Sequence, residues 1–139
     1  MTMNIKCTFI GLLFLLIAAG HLDAQDRFRS CSAAFLNDHM VVTEYTDQGI
    51  CEVSKHDHGT LTVQTAYLSP EVNKPTGKLK FRIAIQDGGT GTMWSYSDKT
   101  FKEVALEAVL EKCKAGDRIV LMTVEDDYAL PHSFVYVKE

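Results

Sequence analysis

Lys78 to Gln86 reads KLKFRIAIQ, and its alternation decides the fold class. Leu79, Phe81, Ile83 and Ile85 point to one side of an extended chain, while Lys80, Arg82, Ala84 and Gln86 point to the other. One side belongs in a core, which is the pattern of a strand whose sheet has one covered face. Next come Asp87-Gly88-Gly89-Thr90-Gly91, a hairpin-type loop whose glycines accept positive φ, and TMWSYS (residues 92–97), where Trp94 and Tyr96 share a face. A phosphate cradle would need a helix directly after the glycines and a Lys-Ser/Thr pair, and neither follows.

Upstream, GTLTVQTAYL (residues 59–68) alternates in the same way, with Leu61, Val63, Thr65 and Tyr67 on one face. Ser69 to Gly77 between the two strands reads as a loop because of Pro70, Pro75 and Gly77. HMVVTEY (residues 39–45) is the first strand, closed by the turn Asp47-Gln48-Gly49, and Gln25 to Ser30 reads as a loose start. Downstream, TFKEVALEAVLEKCK (residues 100–114) is the one helical candidate. Val104, Leu106, Val109, Leu110 and Cys113 recur at mixed three and four spacing, Ser97 or Asp98 can cap its start, and Ala115-Gly116 marks its stop. Phe101 to Val104 also alternates, so part of it reads equally well as extended chain. DRIVLMTV (residues 117–124) and SFVYVK (residues 133–138) are the closing strands. Short connections and the lack of crossover helices predict a mostly β fold, an antiparallel immunoglobulin-like β-sandwich with one short helix. The Cys-Trp-Cys spacing of immunoglobulin domains is absent, so the term describes architecture only.

Residues 1–24 have the order of a secretory signal peptide: Lys6, then the apolar FIGLLFLLIAAG (residues 9–20), then a polar end at Ala24. Cleavage after Ala24 or after Gly20 is expected, which leaves residues 25–139 as one exported domain, periplasmic or extracellular. The apolar run falls short of the roughly 20 residues that cross a bilayer, so no stable membrane anchor is expected after cleavage. With Lys plus Arg at 14 against Asp plus Glu at 18, the formal net charge is −4. A mildly acidic chain without a basic run argues against nucleic acid as a partner.

Candidate sites are few. His56-Asp57-His58 would place both imidazoles on one side of an extended segment, where they could share a metal. The adjoining Gly59 makes a solvent-exposed turn the alternative, and only His39 and His132 could add a distant ligand. Glu125-Asp126-Asp127 could hold a hard cation, but lacks the spacing of a calcium loop. Three cysteines remain after signal removal. Cys31 and Cys51 could close a disulfide, Cys51 and Cys113 another, or all three could stay reduced. No Ser lies in a nucleophile elbow, no H-E-x-x-H occurs, and no cofactor is implied.

The second half, Gly77 to Lys138, resembles the C-terminal β-domain family of the gliding-motility and type IX secretion protein GldM. The residues that carry the likeness are Lys80 to Ile85, Val109 to Val120 and Leu130 to Tyr136. The resemblance implies a periplasmic immunoglobulin-like sandwich that acts in assembly rather than catalysis. The chain is thus expected to be a non-catalytic binding or assembly module whose partner is another envelope or extracellular protein. The alternatives are a metal-binding protein using His56 and His58, and a secreted inhibitor presenting the Gly88 to Gly91 or Asp126 to Pro131 loop.

Overall fold

The computed structural model describes residues 30–68 and 73–139, so the expected signal segment and the start after it lie outside the described residues. Among the described residues the strands are β1 (Ser30–Leu36), β2 (His39–Met40), β3 (Cys51–Ser54), β4 (Thr60–Leu68), β5 (Asn73–Leu79), β6 (Phe81–Gln86), β7 (Met93–Ser95), β8 (Val104–Ala105), β9 (Arg118–Thr123), β10 (Tyr128–Ala129) and β11 (Phe134–Lys138), with one helix, α1 (Leu106–Leu110). The first sheet runs β10-β1-β4-β5, with β2 beside β1 and β8 beside β4; the second runs β3-β11-β9-β6-β7. Their inner faces meet in one core. Ala34, Leu61, Val63 and Leu79 come from the first sheet, Val53, Phe81, Ile83, Ile119, Leu121 and Val135 from the second, and Leu106, Val109 and Leu110 of α1 pack against the same cluster. The molecule is therefore a β-sandwich with one short helix, mostly β as the alternation predicts.

KLKFRIAIQ keeps its alternation but is not one strand. Leu79 ends β5 opposite Val63 in the first sheet, whereas Phe81 opens β6 opposite Thr123 in the second. The chain crosses between layers at the exposed Lys80. Leu79 and Phe81 both point inward from opposite sheets, so a period of two survives the crossing. The expected loop over Ser69–Gly77 gives way to strand from Asn73 onward. Pro75 is tolerated there because β5 is an edge strand and its register with β4 shifts between Thr65 and Ala66.

The expected strand His39–Tyr45 shrinks to β2. Asn37 and Asp38, with φ of 50° and 64°, make a two-residue hairpin turn from β1 into β2. The chain then leaves the first sheet, and Val42 bridges Cys51 at the edge of the second. Three strands have no counterpart in the sequence reading, β1, β3 and the two-residue β10. In β1, Ser32, Ala33, Ala34 and Phe35 are all buried, so a strand covered on both faces shows no alternation. The helix is also shorter than expected. Phe101 exchanges backbone hydrogen bonds of 2.8 Å with Phe81, and β8 pairs with Thr60 and Leu61 of β4. The alternation of residues 101–104 thus outweighs their helical spacing, and Ala105 rather than Ser97 or Asp98 precedes α1.

Two strand pairs are parallel, β1 with β10 and β3 with β11. No crossover helix is needed for either, because the intervening strands of the sandwich make the crossing. The expected antiparallel arrangement holds for the remaining pairs.

Candidate functional site

The outward side of the second sheet carries more apolar surface than its strand pattern requires. On β9, Ile119 and Leu121 point into the core, so Arg118, Val120 and Met122 point out; on β11, Val135 and Val137 point in, and Phe134 and Tyr136 point out. Register aligns these residues in rows across the sheet. One row runs Glu52, Tyr136, Arg118, Gln86, Met93; the next runs Phe134, Val120, Ala84, Ser95. Ile50 precedes β3 and shares with Phe134, Tyr136 and Pro131 a hollow of about 190 Å³. Val124 continues the outward row of β9 and donates its N–H to the Lys80 carbonyl at 3.1 Å.

Six of the eight large apolar side chains that are exposed among the described residues fall on this side: Ile50, Met93, Met122, Val124, Phe134 and Tyr136, each 39–49% exposed. Beneath them Ala84 and Val120 are buried, although they belong to the outward rows. The neighbouring side chains therefore close over them and form a continuous surface, not scattered single contacts.

Arg118 holds the middle of this surface. Its guanidinium lies 5.1 Å from the centre of the Tyr136 ring, and its Nη1 donates to Gln86 Oε1 at 3.2 Å. The Nε is buried without a hydrogen-bond partner, and the cation-π contact offsets part of that cost. Lys80, Arg82 and Lys138 add positive charge on the same side. The strands of this sheet contribute one acid, Glu52, which is ion-paired to Lys138 at 2.5 Å. An apolar ridge with a basic rim thus sits on a chain of net negative charge.

Of the residues singled out from sequence, Cys51, Pro131 and His132 line the hollow beside Phe134 and Tyr136, and the others lie elsewhere. His56 and His58 are exposed in the turn after β3, where Asp57 Oδ2 accepts the Ser54 N–H at 2.8 Å and His58 Nδ1 stands 3.4 Å from the His56 carbonyl oxygen. His39 is exposed on β2, and the His132 ring stands edge-on to Tyr45 at 5.6 Å. Among the described residues no three metal-ligating side chains gather. Cys51 and Cys113 are free, buried thiols, and the Cys31 side chain lies outside the described residues. Neither the Cys31–Cys51 bond nor the Cys51–Cys113 bond is present here; Cys51 Sγ points to the His132 carbonyl at 3.8 Å. Burial pushes both the Cys51 and the Cys113 thiol up to about 11, so both stay protonated and unreactive at neutral pH.

The Gly88 to Gly91 loop is built to hold still. Asp87 Oδ1 accepts the N–H groups of Gly89 and Thr90, each at 2.8 Å, and Lys114 pairs with Asp87 Oδ2 at 2.9 Å. The buried Asp117 accepts the Gly88 N–H at 3.1 Å with one oxygen and the Lys114 N–H at 2.9 Å with the other. A Cβ on Gly88 would stand 1.9 Å from the Gly116 carbonyl oxygen, so only glycine fits. The loop is rigid, but it offers no large side chain to anchor in another protein's pocket. Asp126 to Pro131 crosses to the first sheet, where β10 pairs with β1 and Tyr128 and Leu130 pack on the core.

The outward apolar set was missed because each member has an ordinary explanation alone. FVYV at residues 134–137 and RIVLM at 118–122 are apolar at both parities. That double pattern is the signal, since a sheet with one wet face would alternate. Among the described residues no helix is long and apolar enough to cross a membrane. Compared with family models, with curated proteins and with solved structures, the chain finds no match.

Proposed function

We propose that this chain is an exported, non-catalytic binding or assembly module that docks another envelope or extracellular protein on the outward side of its second sheet. The observation that carries this reading is the gathering of Ile50, Met93, Met122, Val124, Phe134 and Tyr136 on one face. A contiguous apolar patch on a small domain marks an interaction surface, and a central Arg beside a Tyr has the composition of an interface anchor. Arg82 and Lys138 at the rim, with Arg118 at the centre, suit a partner whose own apolar face is edged with acids. An assembly role agrees with the likeness of Gly77–Lys138 to the GldM C-terminal β-domain. Export rests on the pattern of residues 1–24, and the protonated buried thiols support a role without a cysteine nucleophile.

A photo-reactive amino acid placed at Phe134, in cells of the native host, tests the face directly. It should cross-link to a defined partner, whereas the same probe at Tyr67, an exposed aromatic of β4 in the first sheet, should not. Phe134→Ser with Tyr136→Ser should abolish capture of that partner while the protein stays folded, with a melting temperature lowered only by the loss of the Arg118–Tyr136 contact. Equal cross-linking from both positions, or capture that survives the double substitution, would remove this face from consideration. Mass spectrometry of the recovered protein should place its N-terminus at His21 or Gln25. An intact Met1 would overturn the exported reading independently of the binding one.

A further inference from the structure

Of the four edge strands of the two sheets, β10 is two residues long, and β5, β3 and β7 are treated differently. On β5, Lys74, Pro75, Lys78 and the shifted register discourage a further strand. On β3, the outward groups are already used: Thr43 N–H bonds the Ile50 carbonyl at 3.0 Å, and Ser54 N–H bonds Asp57 Oδ2 at 2.8 Å. β7 is short, at three residues, but carries no charge, proline or capped outward amide of this kind. Thr92 to Ser97 contains no charge and no proline, and Met93 and Trp94 are 49% and 40% exposed.

We propose that β7 pairs with β7 of a second copy of this chain, antiparallel and centred on Trp94, so that the two second sheets become one continuous sheet. Hydrogen bonds from Asp87 N–H to the Thr92 carbonyl (2.8 Å) and from Tyr96 N–H to the Ile83 carbonyl (2.9 Å), together with the Ile85–Trp94 register, turn the main-chain groups of Thr92, Trp94 and Tyr96 toward β6. Those of Met93 and Ser95 therefore point outward. In a two-fold pair about Trp94, Met93 of one copy meets Ser95 of the other, so outward groups meet outward groups at both positions. Trp94 meets Trp94 of the second copy at a non-hydrogen-bonded position, where cross-strand side chains lie closest. The same symmetry sets residues 97–99 against Gly89 to Gly91 of the other copy. That segment has only one side chain beyond hydrogen, and Gly91 has open space around it. The absence of charge along the strand lets identical edges meet without like-charge repulsion. This interface shares Met93 with the margin of the docking face, but it is made by main-chain pairing along β7 and does not depend on what binds that face.

Trp94 is the sole Trp of the chain, which makes the pairing visible. Sedimentation of the purified mature protein should show a monomer–dimer equilibrium, and a tryptophan exciton couplet in circular dichroism should grow with the dimer fraction. Ser95→Pro removes an outward N–H that β6 does not use, and Ser95→Lys sets like charges against each other with the backbone intact. Both should weaken the dimer about tenfold or more and abolish the couplet, with Ser95→Lys deciding the matter if the proline variant does not fold. A protein that stays monomeric at every concentration would overturn the proposal. So would a dimer that Ser95→Lys leaves unchanged, or one that Phe134→Ser dissociates while Ser95→Lys does not, since the contact would then lie on the docking face.

Discussion

Phe81 and Arg82 are adjacent in the chain, but one faces the core and the other the solvent. The Phe81 side chain is fully buried between the sheets with the Phe101 ring 6.2 Å away, and Arg82 is exposed on the outward side. Truncation of Phe81 to Ala removes a ring that its neighbours cannot replace and should cost about 3–5 kcal/mol. That is a large share of the roughly 5–15 kcal/mol available to a domain of this size. Arg82→Ala should stay within about 0.5 kcal/mol. Denaturant titration of the two variants checks the difference, and equal losses would mean that the faces of β6 are assigned wrongly. These two side chains were legible from alternation alone. Phe134 and Tyr136 were not, because alternation asks which residues can be buried and is silent about apolar residues left outside.

At the scale of elements, the β6–β7 hairpin depends on a carboxylate. The Lys114 ammonium, then the amides of Thr90 and Gly89, hold the Asp87 carboxyl well below the usual carboxylate range. A depressed folded value means that its stabilisation is present above the unfolded value of about 4 and is lost as pH falls below it toward the folded one. The Asp87 carboxyl carbon, followed by NMR, should titrate below the ordinary carboxylate range. Lys114→Ala should move it upward without restoring the ordinary value, since the two amides remain. An unchanged titration in that variant would leave the amides as the whole cause. The hairpin itself was readable from Asp87 to Gly91, and the Asp117 turn from Gly116-Asp117. The crossing at Lys80 was not, because nothing in a period of two reports which sheet an inward residue comes from. Nor was α1, where residues 101–105 satisfied two patterns and pairing with Phe81 and β4 settled the choice.

For the molecule as a whole, folding is expected to be independent of metal. His56 and His58 stand exposed in their turn, and the buried cluster joins both sheets without them. A chelator should therefore leave the melting temperature unchanged, and His56→Ala with His58→Ala should melt like the parent; a chelator-dependent drop that the double variant abolishes would instead establish a structural site. The parallel ladders impose a further condition, one of timing. Apart from the Val42 bridge, β3 pairs only with β11, Cys51 through Ser54 lying against Val135 through Lys138, and β1 waits for Tyr128 and Ala129 to complete its start. Contacts so distant in sequence repay their loop-closure entropy late, which slows folding. A chain delivered N-terminus first thus has no finished second sheet until residue 134 and those after it arrive, and a chain halted at Ser133 should remain open to protease. For a chain exported as proposed, the same delay would keep the polypeptide a thread during its passage through a narrow channel and let it lock only on the far side.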